Sequence, residues 1–344
     1  MTTRRDVLTG AAALLLTGAA RHPRARDHRF AAVDPEMVDD LALLGDMEVS
    51  AANLARFRRR PAARQAHPLP PHPIARAPLA GATIPGLPGE PPVRVVVFDG
   101  APGRRDRAAV VWMHGGGYVA GSAGVPVPLR LAAQAHGWLV VSVDYRLAPE
   151  ARFPAALHDN YATLRWVHGH AAELGVDPSR IAIGGASAGG GHAAALALAA
   201  RDRREVAVRH QVLIYPMLDD RNGSTRPARP GTGAFVWTAA SNRFGWSSLL
   251  GQTAGSADVP AAAVPGRRSD LAGLPPAFIG VGTLDLFLDE DLAYASALRA
   301  AGVPVDLAVV PAAFHAFDGV APAARASRAF TERWVDALAD ALRA

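Results

Sequence analysis

The sequence predicts an α/β fold in which a mostly parallel sheet carries helices on both faces. Seven short runs of β-branched and other apolar residues lie between residues 93 and 310, and helix-length segments separate several of them. Because parallel strands need crossover connections, this alternation favours a parallel sheet covered by helices. The chain has 344 residues, half of them hydrophobic, which is enough to bury one large core.

The predicted elements follow one another in a regular order. The strands are VRVVVF, AAVVWM, WLVVSV, IAIGG, VLIYP, AFIGVG and VDLAVV. Intervening helices are predicted at Asn160–Leu174, Ala188–Arg201 and Asp289–Ala301. Upstream of the strands, residues 34–60 carry apolar side chains at spacings of three and four, which predicts further helix. A proline-rich linker over residues 67–92 follows, and its prolines rule out a helix there.

One interval, from Met217 to Leu274, breaks the alternation. It contains no clean strand but several aromatic residues among glycines, prolines and serines. A segment of that length inside a compact domain is usually functional, so we interpret it as a cap that walls a substrate pocket. The candidate pocket residues are Tyr118, Phe235, Trp237, Phe244 and Trp246. The alternative for each of them is a place in a cluster of buried aromatic side chains.

The N-terminus has the features of an export signal. Arg4 and Arg5 precede a weakly apolar segment, Val7–Ala20, which is too short to span a bilayer and ends in small residues. We therefore expect a twin-arginine signal or tail over residues 1–26 and a periplasmic or secreted protein. The alternative is a frayed amphipathic helix on a cytoplasmic protein. No other segment is apolar for long enough to form a stable membrane span.

These observations predict one core interrupted by one insertion. Residues 27–70 are assigned to N-terminal cap helices and linker, residues 71–216 and 275–344 to the α/β core, and residues 217–274 to a cap insertion.

Composition excludes several classes of function. The chain has no cysteine, which excludes disulfides, thiolate catalysis and Cys-ligated zinc, and no metal site is predicted. Its net charge is only +5, because 31 acidic residues largely match 36 scattered basic ones. Nucleic-acid binding is therefore not expected.

A serine nucleophile is predicted at Ser187. Gly185, Ser187 and Gly189 form the pattern G-x-S-x-G directly after a predicted strand and before an alanine-rich helix. This sharp turn holds a serine oxygen clear of the backbone at a helix N-terminus, and its crowding requires small neighbours. The alternative is a purely structural glycine turn.

A serine hydroxyl needs a base, and the base needs a third group that orients it. On an open α/β sheet, sites form at the carboxyl ends of the strands. Asp285 and His315 follow two successive predicted strands, and the chain order Ser, Asp, His fits this architecture. His192 lies only five residues after Ser187 and is predicted to be a helix residue near the site. The acidic residues 289–291 open the next helix, where they favour its dipole.

Three consecutive glycines follow the strand in VVWMHGGGYVAGSAG, residues 110–124. An ester carbonyl under attack becomes an oxyanion, which preset backbone N–H groups stabilise, and glycine lets the substrate approach them closely. An HGGG-type motif supplies this element in lipases and esterases. The predicted oxyanion-hole donors are the N–H groups of Gly115, Gly116 and Ala188. His114 is expected to fix the loop, and Gly117 to serve the turn.

Together, these motifs resemble the hormone-sensitive-lipase-like family of α/β hydrolases, the bacterial carboxylesterases marked by HGGG. The resemblance extends from about residue 90 to the end and rests on HGGGYVAGS, VDYRLAPEARFPAALHDNYATLRWV, GASAGG, LPPAFIGVGTLDLFLDED and AGVPVDLAVVPAAFHAF. It implies an α/β-hydrolase fold with an eight-stranded core and a helical cap, and hydrolysis of short to medium acyl esters without a cofactor. The variants GASAGG and GTLDLF are similar to acetyl-hydrolase or arylesterase-like members, which favours small acyl groups.

Two positions depart from the family pattern. The family often has Asp-Pro-Leu at the acid, whereas Asp285 is followed by Leu286 and Phe287. It often has His-Gly-Phe at the base, whereas Ala316 follows His315 here. Neither position touches a reacting group, so we expect a small change in loop geometry and no loss of activity.

The expected function is that of a serine carboxylesterase acting on a small-molecule ester. A deacetylase or amidase acting on a specific metabolite or polymer is the alternative. A non-catalytic receptor on the same scaffold is a further alternative, but such receptors lose a triad member and all three candidates are present here. The sequence leaves room for a homodimer.

Overall fold

The computed structural model describes residues 28–59 and 79–343. The predicted export signal over residues 1–26 and residues 67–78 of the proline-rich stretch lie outside the described residues. Within the described ranges, no helix combines the length and apolar character that crossing a bilayer requires.

An eight-stranded sheet forms the centre of the molecule. Its strands are β1 Ala80–Ile84, β2 Val93–Asp99, β3 Arg107–Met113, β4 Leu139–Asp144, β5 Val176–Ala186, β6 His210–Ile214, β7 Ala277–Gly282 and β8 Val305–Val310. They lie in the order β1-β2-β4-β3-β5-β6-β7-β8. The pairs β1–β2 and β2–β4 are antiparallel, and the other pairs are parallel. The predicted mostly parallel sheet is therefore confirmed.

Strand β1 was not among the predicted strands and lies inside the proline-rich stretch. It pairs with β2 in a register from Ala80 opposite Val97 to Ile84 opposite Val93. Only Ile84 of its five residues is buried. An edge strand with so little burial carries no run of apolar residues, so the hydrophobic pattern could not predict it.

Helices cover both faces of the sheet. Those described are α1 Val38–Leu43, α2 Leu54–Arg59, α3 Val127–His136, α4 Ala155–Gly169, α5 Ala171–Leu174, α6 Ala188–Arg203, α7 Ala239–Leu250, α8 Leu288–Ala300, α9 Phe317–Val320 and α10 Arg325–Ala341. The helical pattern over residues 34–60 corresponds to the two short helices α1 and α2. Gly45, with a φ of +66°, follows the end of α1 and takes the chain out of the helical conformation.

Two hydrophobic layers flank the sheet, and a third cluster supports the insertion. One layer includes Leu164 of α4, Leu196 of α6 and Leu298 of α8. The opposite layer takes side chains from α1, α3, α9 and α10, so the N-terminal segment packs on that face. The third cluster joins Leu54 of α2 to the insertion, where Trp246 of α7 is fully buried.

A buried ion pair connects the two ends of the insertion. The Arg267 guanidinium donates to both carboxylate oxygens of Asp220, at 2.7 and 2.8 Å. The Asp220 side chain is fully buried and also accepts from the N–H of Gly255 at 2.8 Å. Removing the arginine would leave a carboxylate in the interior without its counter-ion.

We therefore expect Arg267→Ala to lower the free energy of unfolding by about 3 kcal/mol, the usual cost of breaking a buried ion pair. Urea unfolding followed by tryptophan fluorescence measures the change. Arg229→Ala is the matched control, because it removes an arginine of the same insertion whose partner Asp289 is half exposed, and such pairs contribute little. Equal urea midpoints for the two variants would contradict the prediction.

Candidate active site

Ser187 lies on a strained turn between β5 and α6. Its φ is +59° and its ψ is −124°, a conformation that non-glycine residues rarely adopt. The turn is held from both sides: the Ser187 N–H donates to the carbonyl of Ile214 at 2.9 Å, and the Ser187 carbonyl accepts from the N–H groups of Gly191 and Met217 at 3.0 Å. Hydrogen bonds to three separate segments thus maintain the strained backbone.

The neighbouring glycines leave no room for a side chain. A Cβ at Gly189 would lie 2.2 Å from the carbonyl oxygen of Met113, and a Cβ at Gly185 would lie 2.4 Å from the carbonyl oxygen of Gly189. The helix N-terminus and the end of β3 are therefore in direct backbone contact. This crowding explains why the sequence pattern around Ser187 requires glycine.

The structure brings Ser187, His315 and Asp285 together. His315 Nε2 lies 2.9 Å from Ser187 Oγ, and His315 Nδ1 lies 2.8 Å from Asp285 Oδ2. A carboxylate only accepts hydrogen bonds, so Nδ1 carries the proton and Nε2 is free to accept from the serine hydroxyl. Asp285 Oδ1 accepts from the N–H of Phe287 at 3.0 Å, which fixes the carboxylate. Asp285 is fully buried.

Aromatic side chains enclose the imidazole of His315. Phe287 meets it edge to face, with ring centroids 5.1 Å apart, and Tyr215 does the same at 4.9 Å. The Tyr215 hydroxyl donates to Asp318 at 2.8 Å, and burial raises the pKa of that carboxyl group. Tyr215 was not among the residues predicted for the site. Its position directly after β6 is the signal that could have found it.

Ala316 adopts the left-handed conformation, with a φ of +60°. Glycine is the residue that enters this region without strain, and alanine does so at a cost of about 1–2 kcal/mol. The replacement noted in the sequence thus leaves the backbone of a glycine-type turn in place next to His315.

The glycine loop after β3 lies against the serine turn. A Cβ at Gly115 would lie 3.3 Å from Ser187 Cβ and 3.0 Å from the carbonyl oxygen of Ala186. Gly116 has a φ of +133°, and its carbonyl accepts from two N–H groups further along the loop. Within the described residues, the N–H groups of Gly115 and Gly116 donate to no acceptor. Ala188 is the first residue of α6, and its N–H is one of the N–H groups in the first helical turn that have no acceptor inside the helix.

His114 contacts this loop through its side chain. Its Nδ1 lies 2.9 Å from the carbonyl oxygen of Gly115, and burial lowers the pKa of the imidazole. Gly117 has a φ of +60°, in the left-handed region.

Two of the five candidate pocket residues lie on the His315 side of the site. The Trp237 ring lies 6.4 Å from that of His315 and covers Gly117, where a Cβ would come within 2.0 Å of the indole. Phe235 is half-buried, packs edge-on against Phe314 at 6.2 Å and stacks on the N-terminal Phe30 at 5.7 Å.

The other three belong to the cluster that attaches the insertion. Tyr118 and Trp246 are buried with ring centroids 4.9 Å apart, and Phe244 packs against the same cluster. The Tyr118 hydroxyl donates to the carbonyl of Met217 at 2.8 Å. A contact of any of the five with substrate stays a prediction.

His192 and the acidic residues at the start of α8 contact groups other than Ser187, Asp285 and His315. His192 is buried on α6 and packs edge to face with Tyr118 and Tyr145, and burial lowers its pKa to about 3. Glu290 lies in the first turn of α8 as predicted, but it is buried and accepts from the N–H groups of Leu218 and Asp219. Its burial raises its pKa.

Comparisons with known proteins identify the fold and the family of the chain. A family model described as the alpha/beta hydrolase fold matches residues 110–319. The carboxylesterase NlhH of Mycobacterium tuberculosis is 39% identical over 270 residues, which cover 74% of this chain and 79% of that protein. The esterase LipI of the same organism is 35% identical over 274 residues, which cover 78% of this chain and 83% of that one.

A solved structure extends the similarity to nearly the whole chain. A bacterial heroin esterase superposes with a TM-score of 0.80 at 33% identity, over 92% of this chain and 99% of that one. The family model, the two relatives and the shared fold agree with one another. The chain therefore belongs to the hormone-sensitive-lipase-like family of α/β hydrolases and is an enzyme, a carboxylic ester hydrolase.

Proposed function

We propose that the chain is a serine carboxylesterase that hydrolyses short to medium acyl esters of small molecules. One observation carries the proposal. The hydrogen-bonded series Asp285, His315 and Ser187 ends at a serine against which Gly115 of the glycine loop packs, and the N–H groups of Gly115 and Gly116 have no acceptor among the described residues. A nucleophile, its base and oxyanion donors in one place are what acyl transfer requires.

In the first half-reaction, Ser187 Oγ attacks the ester carbonyl carbon while its proton moves to His315 Nε2. The carbonyl electrons move to oxygen, and the resulting oxyanion accepts from the N–H groups of Gly115, Gly116 and Ala188. Asp285 accepts from Nδ1–H and stabilises the imidazolium. The intermediate then collapses, the alkoxide leaves with the Nε2 proton, and an acyl-serine remains.

The second half-reaction repeats these steps with water as the nucleophile. His315 Nε2 takes a proton from the water as the oxygen attacks the acyl carbonyl. The second tetrahedral intermediate expels Ser187 Oγ, which recovers the proton from the imidazolium. The carboxylic acid leaves, and the enzyme returns to its starting protonation state.

The first test is turnover of p-nitrophenyl esters with acyl chains of two to sixteen carbons. Wild-type enzyme should hydrolyse the short members, and Ser187→Ala should reduce kcat by about 10⁴-fold or more, because the nucleophile is lost. A fluorophosphonate should label Ser187 in the wild type and leave the alanine variant unlabelled. Circular dichroism of the variant verifies that it is folded.

Failure of both turnover and labelling in the wild type would rule out a serine esterase. If Ser187 is labelled but anilides or N-acetylated compounds turn over faster than every ester, the amidase or deacetylase alternative holds.

The second test concerns the acyl length. Trp237 covers Gly117 and lies beside His315, so it restricts the space next to the attacked carbonyl. Trp237→Ala should therefore raise kcat/KM for the eight-carbon ester relative to the two-carbon ester by about tenfold, the effect of burying about two more methylenes at about 0.8 kcal/mol each. The two-carbon ester is the internal reference. An unchanged ratio would show that this indole does not limit acyl size.

We also propose export through the twin-arginine-like segment, supported by Arg4, Arg5 and the short apolar stretch after them. The mature protein should then be recovered from the periplasmic or secreted fraction with a new N-terminus near residue 26. Edman or mass-spectrometric N-terminal sequencing measures it. Replacing both arginines with lysine should keep the protein in the cytoplasm, and recovery of a chain that still starts near Met1 from the cytoplasm of wild-type cells would contradict the proposal.

A further inference from the structure

Tyr145 contacts the glycine loop through both its hydroxyl and its ring. It is the first residue after β4, is 2% exposed, and donates from its hydroxyl to the carbonyl oxygen of His114 at 2.6 Å. Its ring stacks on the imidazole of His114, with centroids 4.2 Å apart and planes 9° apart. Neither contact belongs to the triad or to the strand pairing.

The carbonyl that Tyr145 holds shares a peptide group with an oxyanion donor. The C=O of His114 and the N–H of Gly115 lie in one plane and point in opposite directions. A hydrogen bond that fixes the oxygen therefore fixes the direction of the N–H. It also polarises the group, which makes the N–H a better donor.

The next peptide group is held in the same way by His114. Its Nδ1 lies 2.9 Å from the carbonyl oxygen of Gly115, and that peptide carries the N–H of Gly116. A carbonyl only accepts, so Nδ1 carries the proton of the neutral imidazole. The stacked ring of Tyr145 keeps the imidazole in the orientation that this hydrogen bond needs.

The third donor has backbone support instead. The peptide that carries the N–H of Ala188 has the carbonyl of Ser187, which accepts from two backbone N–H groups. The two loop donors are thus the ones whose direction depends on side chains. Both depend on Tyr145, one directly and one through His114.

Tyr145 is itself fixed and stays a donor. His192 meets its ring edge to face at 4.6 Å. Burial raises the pKa of its hydroxyl above the usual value, so it remains protonated at any working pH.

We infer that Tyr145 is a positioning residue for the oxyanion hole, because its hydroxyl and ring together set the two peptide groups that carry the N–H of Gly115 and of Gly116. The inference rests on the proposed esterase function. It assigns Tyr145 a role in the transition state, where the oxyanion exists, and none in binding the ground-state ester.

The test is Tyr145→Phe, which keeps the stacked ring and removes only the hydroxyl. We expect kcat for p-nitrophenyl acetate to fall by about 10- to 100-fold, less than the 10²- to 10³-fold loss on removing a donor itself, with KM within about twofold of wild type. Affinity for a trifluoromethyl ketone, which forms an oxyanion on Ser187, should fall by the same factor as kcat. A merely structural role would not couple these two readouts.

Thr163→Val is the matched control. Thr163 is buried in α4, and its hydroxyl also donates to a backbone carbonyl, that of Asp159 at 2.9 Å. The peptide group of that carbonyl carries an N–H of the helix, which is not a predicted oxyanion donor. The control should leave kcat, KM and inhibitor affinity unchanged even where it lowers the melting temperature.

Three outcomes would overturn the inference. The first is a Tyr145→Phe enzyme whose kcat and inhibitor affinity stay within twofold of wild type. The second is a variant that raises KM with kcat unchanged. If Tyr145→Phe does not fold, His114→Phe takes its place, because it keeps a ring against Tyr145 and cannot donate to the carbonyl of Gly115. The third outcome is an unchanged kcat in that variant.

Failure of the proposed function gives a different pattern. A wild-type enzyme with neither ester turnover nor fluorophosphonate labelling at Ser187 would overturn that function, and the positioning role with it. A wild type that is active and labelled, with an unaffected Tyr145→Phe variant, overturns the positioning role alone.

Discussion

The strained backbone of Ser187 is the constraint on which the rest of the site depends. A φ of +59° persists only where the surroundings over-determine it, and here β6, α6 and the start of the insertion each supply a hydrogen bond to this one residue. The same contacts leave Gly185 and Gly189 no space for a Cβ. Sheet, helix and insertion thus meet at the serine, and each must be in place for its hydroxyl to face His315.

The parallel sheet brings the other residues of the site to the same edge as Ser187. Strands β3 to β8 all end at one edge, and each of β3, β4, β5 and β6 is followed at once by a residue of the site: His114, Tyr145, Ser187 and Tyr215. The loops after β7 and β8 add Asp285 and His315, the proposed acid and base. The same edge therefore carries the side chains that contact the glycine loop as well as the proposed reacting groups.

This strand-end rule also explains what the sequence could and could not predict. It selected Ser187, Asp285 and His315 because each carries a reactive group after a recognisable strand, and the structure brings them within hydrogen-bonding distance. Tyr145 obeys the same rule but carries no reactive group, and its partner His114 lies 31 residues away. Strand β1 escaped prediction for a similar reason. Its pairing depends on β2, and local hydrophobicity does not show it.

The insertion is attached by contacts that the hydrophobic pattern cannot show either. Asp220 pairs with Arg267 in the interior, and Glu290 accepts two N–H groups where the insertion begins. Buried polar groups with several partners fix a geometry more strictly than apolar contacts do, because any displacement leaves a polar atom unsatisfied. The indole of Trp237 is joined to this network, because its N–H donates to Asn242, which donates to the carbonyl of Asn222, and the Asn222 amide donates to Glu290. The position of this indole beside His315 is therefore set by the fold of the insertion itself.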